Sequence, residues 1–155
     1  MTNDPSCIFC RIIAGQAEAS FVYRDEFVTA FMDIRPINPG HLLVVPNRHA
    51  SNLGEVDDNV GSHMFVVGRK LALALRRSEP RCDGVNLFVA DGAAAGQTVF
   101  HSHLHIVPRH TGDGFGFHFP PGYTRGASRA DLDAVAAKVR VVLDENWIDT
   151  NVTRG

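Results

Sequence analysis

The chain has 155 residues, enough to bury one hydrophobic core and too few to call for a second domain. Apolar residues make up 45% and charged residues 21%, a globular balance that excludes disordered and fibrous classes. Its 15 basic and 17 acidic side chains leave a formal charge of −2, so no global field holds a nucleic-acid polymer and any phosphate site must be local.

Met1 to Ser6 lacks the basic start and apolar stretch of a signal peptide, and no apolar run approaches the length of a membrane span. A cytoplasmic protein without a membrane partner is expected. Three cysteines without an export signal argue against a disulfide framework, so Cys7-x-x-Cys10 points to metal or redox chemistry, with Cys82 a bystander. Phe21 to Tyr23 and Val28 to Met32 are β-prone and predict a hairpin across Arg24-Asp25-Glu26-Phe27. After a turn at Arg35 to Gly40, His41 to Val45 reads as a third strand, ended by Pro46, which cannot donate to a ladder.

From Asp57 to Arg77 the apolar residues Val60, Met64, Val67, Leu71 and Leu75 recur at steps of three or four, the stripe of a surface helix. Val85 to Ala90 and Phe100 to Val107 read as two further strands, divided by the small-residue loop Asp91 to Gly96. The Gly- and Pro-rich stretch His110 to Gly126 reads as an ordered loop. Ser128 with Asp131 opens a last helix with an apolar face of Leu132, Val135, Ala136, Val139, Val142 and Leu143. Hairpin-linked strands with one long helix between them imply an α+β domain on an antiparallel sheet.

The densest chemical signal is Gln97-Thr98-Val99-Phe100-His101-Ser102-His103-Leu104-His105-Ile106-Val107-Pro108-Arg109. In a strand, alternate side chains share a face about 6.5–7 Å apart, which would line up His101, His103 and His105 and turn Leu104 and Ile106 to the core. Such a row has three readings. It can be the wet face of a half-buried strand, or a pair of alternate imidazoles chelating zinc, or an imidazole nucleophile toward phosphorus. Gly96, Gln97 and Thr98 favour the third, because they set backbone N–H groups, an amide and a hydroxyl beside the row, donors suited to a phosphate.

These residues resemble the histidine triad family, whose signature is His-φ-His-φ-His-φ-φ with a Gly-Gln-Thr/Ser-Val lead-in, φ being apolar. The likeness extends upstream to Cys7-Ile8-Phe9-Cys10-Arg11-Ile12-Ile13, to Ala30-Phe31-Met32-Asp33-Ile34 and to Pro39-Gly40-His41-Leu42-Leu43-Val44-Val45-Pro46. It implies an α+β, HIT-like fold with a five-stranded antiparallel sheet, one long central helix and a C-terminal helix. Residues 7–109 would form the domain core, and residues 110–155 a loop and helix packed on the same domain.

The resemblance also implies roles. His103 would be the nucleophile, His105 would hydrogen-bond the phosphate, and Thr98 would help protonate the leaving group. Gln97 would touch the phosphate, and Asp33 would accept from the ribose hydroxyls or, more plainly, cap a turn. His41 would support the triad. Ile8, Phe9, Ile12 and Phe31 fall where relatives sandwich a purine, although core packing would also account for each. Relatives with the same Cys pair imply one structural zinc on Cys7, Cys10, His49 and His101, and homodimers are usual among them.

Two positions depart from the pattern: Ser102 stands where an apolar residue is usual, and Ala90 where relatives often carry Asn or Gln. The implied function is hydrolysis of nucleoside 5′-phosphoramidates or related adenylates through a nucleotidyl-histidine. The alternatives are a dinucleoside polyphosphate hydrolase and a non-catalytic nucleotide-binding or zinc-dependent interaction protein.

Overall fold

The structure is a computed structural model that describes the backbone of residues 4–79 and 81–152 and the side chains of residues 4–79 and 81–143. Its five strands are β1 (Phe21–Arg24), β2 (Val28–Met32), β3 (Leu42–Pro46), β4 (Gly84–Val89) and β5 (Leu104–Arg109). They form one antiparallel sheet in the order β1-β2-β3-β5-β4. Three helices accompany it: α1 (Ile8–Ile13), α2 (Asp58–Leu75) and α3 (Arg129–Val152). The expected α+β class and five-stranded antiparallel sheet are what the chain adopts.

Period two explains both faces of the sheet. Val28, Ala30, Leu42, Val44, Leu104 and Ile106 meet Met64, Val67 and Leu71 of α2 in the larger core. Phe31, Leu43 and Val45 point the other way and pack with Phe9, Cys10 and Ile12 of α1. Helix α2 starts where Asp57 accepts from the Asn59 N–H, and Gly68 lets it lie close to β5. A Cβ at Gly68 would stand 2.6 Å from Leu104 Cδ2.

Two elements depart from the sequence reading. The α1 turn was not anticipated; its six residues are too few for a visible period, yet they place Cys10 one turn beyond Cys7. The last strand begins at Leu104 and not at Phe100. In the β3–β5 register, Leu42 faces Ile106 and Val44 faces Leu104, so continuing it would set Ser102 opposite Pro46. Pro46 has no N–H to offer, and the Ser102 N–H bonds the Ala50 carbonyl instead, at 2.6 Å. His101 and His103 therefore precede the strand, and only His105 belongs to it.

The chain divides into two compact units, Met1–Phe115 and Gly116–Gly155. The first runs past Arg109 because the Arg109 guanidinium binds both carboxylate oxygens of Asp113, each at 2.7 Å, and the Phe115 carbonyl. In the second, Ser128 Oγ accepts from the Asp131 N–H at 3.1 Å and donates to its carboxylate, opening α3 as expected. No described helix is long and apolar enough to cross a membrane.

Candidate active site

The histidine segment is ordered from both sides. Gly92 and Gly96, with φ of 89° and 90°, bracket a single 3-10 turn at Ala93–Ala95, a geometry that side chains with a Cβ rarely adopt. Gln97 is buried and closes this loop: Oε1 accepts from the Gly92 N–H, and both amide hydrogens are engaged, by the carbonyls of Ser51 and Val99. The Gln97 side chain, expected from the sequence as a phosphate contact, is thus engaged by backbone groups of Gly92, Val99 and the distant Ser51. Thr98 is exposed beside it.

Hydrogen bonds to fixed partners define the ring tautomers, since a carbonyl only accepts and a backbone N–H only donates. His103 Nδ1 lies 2.7 Å from the His101 carbonyl, so Nδ1 carries the proton and Nε2 keeps its lone pair. His41 Nδ1 accepts from the Ile37 N–H at 3.2 Å, so His41 Nε2 carries a proton and donates it to His105 Nδ1 at 3.0 Å. The proton of His105 then sits on Nε2. The site pairs a ring with a basic Nε2 and a ring with a donating Nε2, their centroids 4.6 Å apart.

Burial keeps these rings neutral. It holds His103 and His41 below the ordinary histidine value and pulls His105 down to about 4, where the neighbouring His103 and His41 add to the effect. Asp33 Oδ2 lies 3.7 Å from His41 Nδ1, but that nitrogen is already accepting from Ile37, so the contact is not an ion pair. Asp33 Oδ1 accepts from the Arg35 N–H at 2.8 Å, the turn-capping role, and leaves Oδ2 at the site.

The apolar surroundings divide unevenly. Phe9, Ile12 and Phe31 are buried in the α1 core, while Ile8 is 41% exposed. The Phe9 and His103 rings meet edge to face, their centroids 5.3 Å apart. Phe88, opposite His105 in the β4–β5 register, stacks on it at 4.4 Å and 13°. The sequence placed Phe88 on a strand but carried no register, so nothing singled it out.

A second group lies behind His101. Cys7, Cys10, His49 and His101 each offer one ligand atom, all within 4.8 Å of one another. His101 Nε2 donates to the Pro46 carbonyl at 2.9 Å, which leaves Nδ1 unprotonated and 3.4 Å from Cys7 Sγ and 3.6 Å from Cys10 Sγ. His49 Nδ1 is 3.3 Å from Cys10 Sγ. Two thiols and two imidazoles, with Cys10 and His101 at 2% and 0% exposure, form a closed donor set that fits a tetrahedral zinc ion. His103 lies outside this set, joined to it by the His101 carbonyl.

Known proteins resemble this chain in sequence and in fold. The chain is 46% identical to Protein hit of Bacillus subtilis over 112 residues, 72% of this chain and 77% of the relative. Among solved structures, a zinc-bound histidine triad family protein from Mycobacterium smegmatis matches with TM-score 0.69 and 43% identity, over 76% of this chain and 85% of that one. A histidine triad nucleotide-binding protein from Candida albicans matches with TM-score 0.79 and 29% identity, over 90% and 99%. A HIT family hydrolase from Legionella pneumophila matches with TM-score 0.61 and 34% identity, over 76% and 100%. The HIT domain model itself matches residues 14–112, most of the chain and all three histidines of the row, and the protein belongs to the histidine triad family.

Proposed function

We propose that the protein hydrolyses nucleoside 5′-phosphoramidates or related adenylates through a nucleotide bound covalently to His103. One observation carries this reading: the His101 carbonyl holds the proton of His103 on Nδ1, so Nε2 is a neutral nucleophile beside the donating Nε2–H of His105. His103 Nε2 attacks the α-phosphorus, an N–P bond forms, and the bond to the leaving amine breaks as that amine gains a proton with help from Thr98. The resulting ring keeps its Nδ1–H and gains positive charge, which the His101 carbonyl stabilises, while His105 donates to a phosphate oxygen. Water then attacks phosphorus, the N–P bond breaks, and the nucleoside monophosphate leaves. Two inversions give net retention.

Asp33 Oδ2 would accept from the ribose hydroxyls, and Ile8 would offer the apolar surface for a base. Gln97 would act by holding the loop that carries Thr98, since the Gly96 and Gln97 N–H groups are themselves bonded to the Ala93 and Gly92 carbonyls. The same reading includes a structural zinc on Cys7, Cys10, His49 and His101, supported by the closed donor set and by the zinc-bound relative. It also includes a homodimer; β4 supports this as a sheet edge of half-buried residues, and a one-chain mass in sedimentation would exclude it.

Rapid alkaline quenching during turnover of an adenosine phosphoramidate tests the mechanism. The expected result is a nucleotidyl mass increase on the peptide carrying His103, absent in His103→Gly. Net inversion with a chiral α-phosphorothioate would mean direct attack by water, and tight binding without turnover would leave a nucleotide-binding protein.

A further inference from the structure

We propose that Asn38, anchored by the Arg109–Asp113 pair, is a positioning residue that determines which nitrogen of His105 carries its proton. The inference rests on the reading of His105 as a phosphate donor. It starts from the turn between β2 and β3, where Asp33 N–H bonds the His41 carbonyl at 2.9 Å and His41 N–H bonds the Asn38 carbonyl at 3.0 Å. Within that turn the Ile37 N–H fixes the His41 tautomer, and His41 in turn fixes that of His105. The relay therefore depends on where the turn holds one backbone N–H.

The Asn38 side chain ties this turn to β5. Its amide donates to the Pro108 carbonyl and to Asp113 Oδ2, both at 2.8 Å. Pro108 lies two residues beyond Ile106, the last β5 residue paired with β3, so the amide bridges a gap that no ladder closes. Asp113 is 6% exposed and fixed from several directions. It accepts two bonds from Arg109, and further bonds from the backbone N–H groups of His110 and Phe115. Arg109 is itself held by Asn86 Oδ1 at 2.5 Å and lies 4.8 Å above the Phe115 ring.

A continuous path thus runs from Arg109 through Asp113 and Asn38 to Ile37, His41 and His105, all within the first unit. Hydrogen-bonded groups behind a metal-ligating histidine fix its ring orientation and tautomer, and their loss costs about 10–100-fold in affinity or activity; a histidine that must donate to phosphate depends on its tautomer in the same way. Without Asn38 the turn is released, the Ile37 N–H no longer holds His41, and His105 populates the form with a lone pair at Nε2. That form repels a phosphate oxygen.

The test uses the full zinc-loaded chain, labelled with ¹⁵N in its imidazoles, and compares wild type with Asn38→Ala and the near-isosteric Asp113→Asn. Nitrogen shifts are expected to show His105 protonated at Nε2 in wild type and a mixture of tautomers in both variants. Adenosine phosphoramidate turnover should show kcat lowered about 10-fold, with KM changed less because the donor acts most on charge developing in the transition state. Asp113→Asn keeps the shape of the side chain, so it reports even if Asn38→Ala does not fold. Unchanged His41 and His105 tautomers in a folded variant would overturn the inference whether or not the protein turns over. A tautomer shift in a protein without hydrolase activity would uphold the relay and refute the hydrolytic reading alone.

Discussion

Ser102 offers a test of the energetics behind the histidine row. It is 1% exposed, and among the described residues its Oγ meets no hydrogen-bonding protein group, while its backbone N–H is well placed on the Ala50 carbonyl. A buried polar group without a partner costs about 1–3 kcal/mol, which the unfolded chain does not incur. Ser102→Ala removes that group, leaves the backbone bond intact and forfeits the contacts of one oxygen atom, about 0.5 kcal/mol. The variant should therefore be more stable by about 1 kcal/mol, a rise in Tm of about 2–4 °C for a chain of this size. Calorimetry and urea melts at fixed zinc concentration measure it, because metal binding to the folded state would otherwise shift both transitions. The His103 adduct should still form. A loss of stability, or no change, would show that the hydroxyl is satisfied by a bound water and that the reasoning fails.

Gly68→Ala gains about 1 kcal/mol of helix propensity, but its new Cβ meets Leu104 Cδ2 at 2.6 Å. The overpacking term of about 1–3 kcal/mol should dominate, and a higher Tm would show that Leu104 yields freely. Stability should also fall as pH drops from 6.5 toward 4: burial lowers the folded values of His41 and His105, the latter to about 4, so the unfolded chain takes up protons first. His103 adds to the lowering at His105 and Asp33 opposes it, so His105→Gln should flatten the urea-midpoint profile in that window; an unchanged profile would refute this. Zinc should be present at one ion per chain, lost in Cys10→Ser and kept in His103→Ala, as measured by elemental analysis after chelator-free purification. Full metal in Cys10→Ser would mean other ligands.

Much of the scaffold can be read along the chain because burial imposes period: alternate residues of β2 and β3 serve two cores, and the α2 stripe meets the sheet at Met64, Val67 and Leu71. The donor set of Cys7, Cys10, His49 and His101 was also legible, through the likeness to relatives with the same Cys pair. What escaped depends on register and on three-dimensional neighbours. Pro46 reads correctly from the sequence as ending β3, but not as setting where β5 starts, because only pairing sets it opposite Ser102. Phe88 gains its place over His105 by the pairing of β4 with β5. The Gln97 amide, a plausible phosphate donor by type, faces the carbonyls of Ser51 and Val99, and Ser51 is distant in sequence. The Asn38–Asp113 bond spans 75 residues with no local signature.

The arrest of pairing at Pro46 also bears on how this protein can change over time. His105 is part of the ladder, whereas residues 97–103 are held by side-chain bonds and carbonyls outside it. Substitutions in that segment can alter loop shape and access to the nucleophile without unpicking a strand, and substitutions in the sheet can be selected for stability without redirecting His103. A lineage carrying this break can vary its reactive segment and its framework as nearly separate traits.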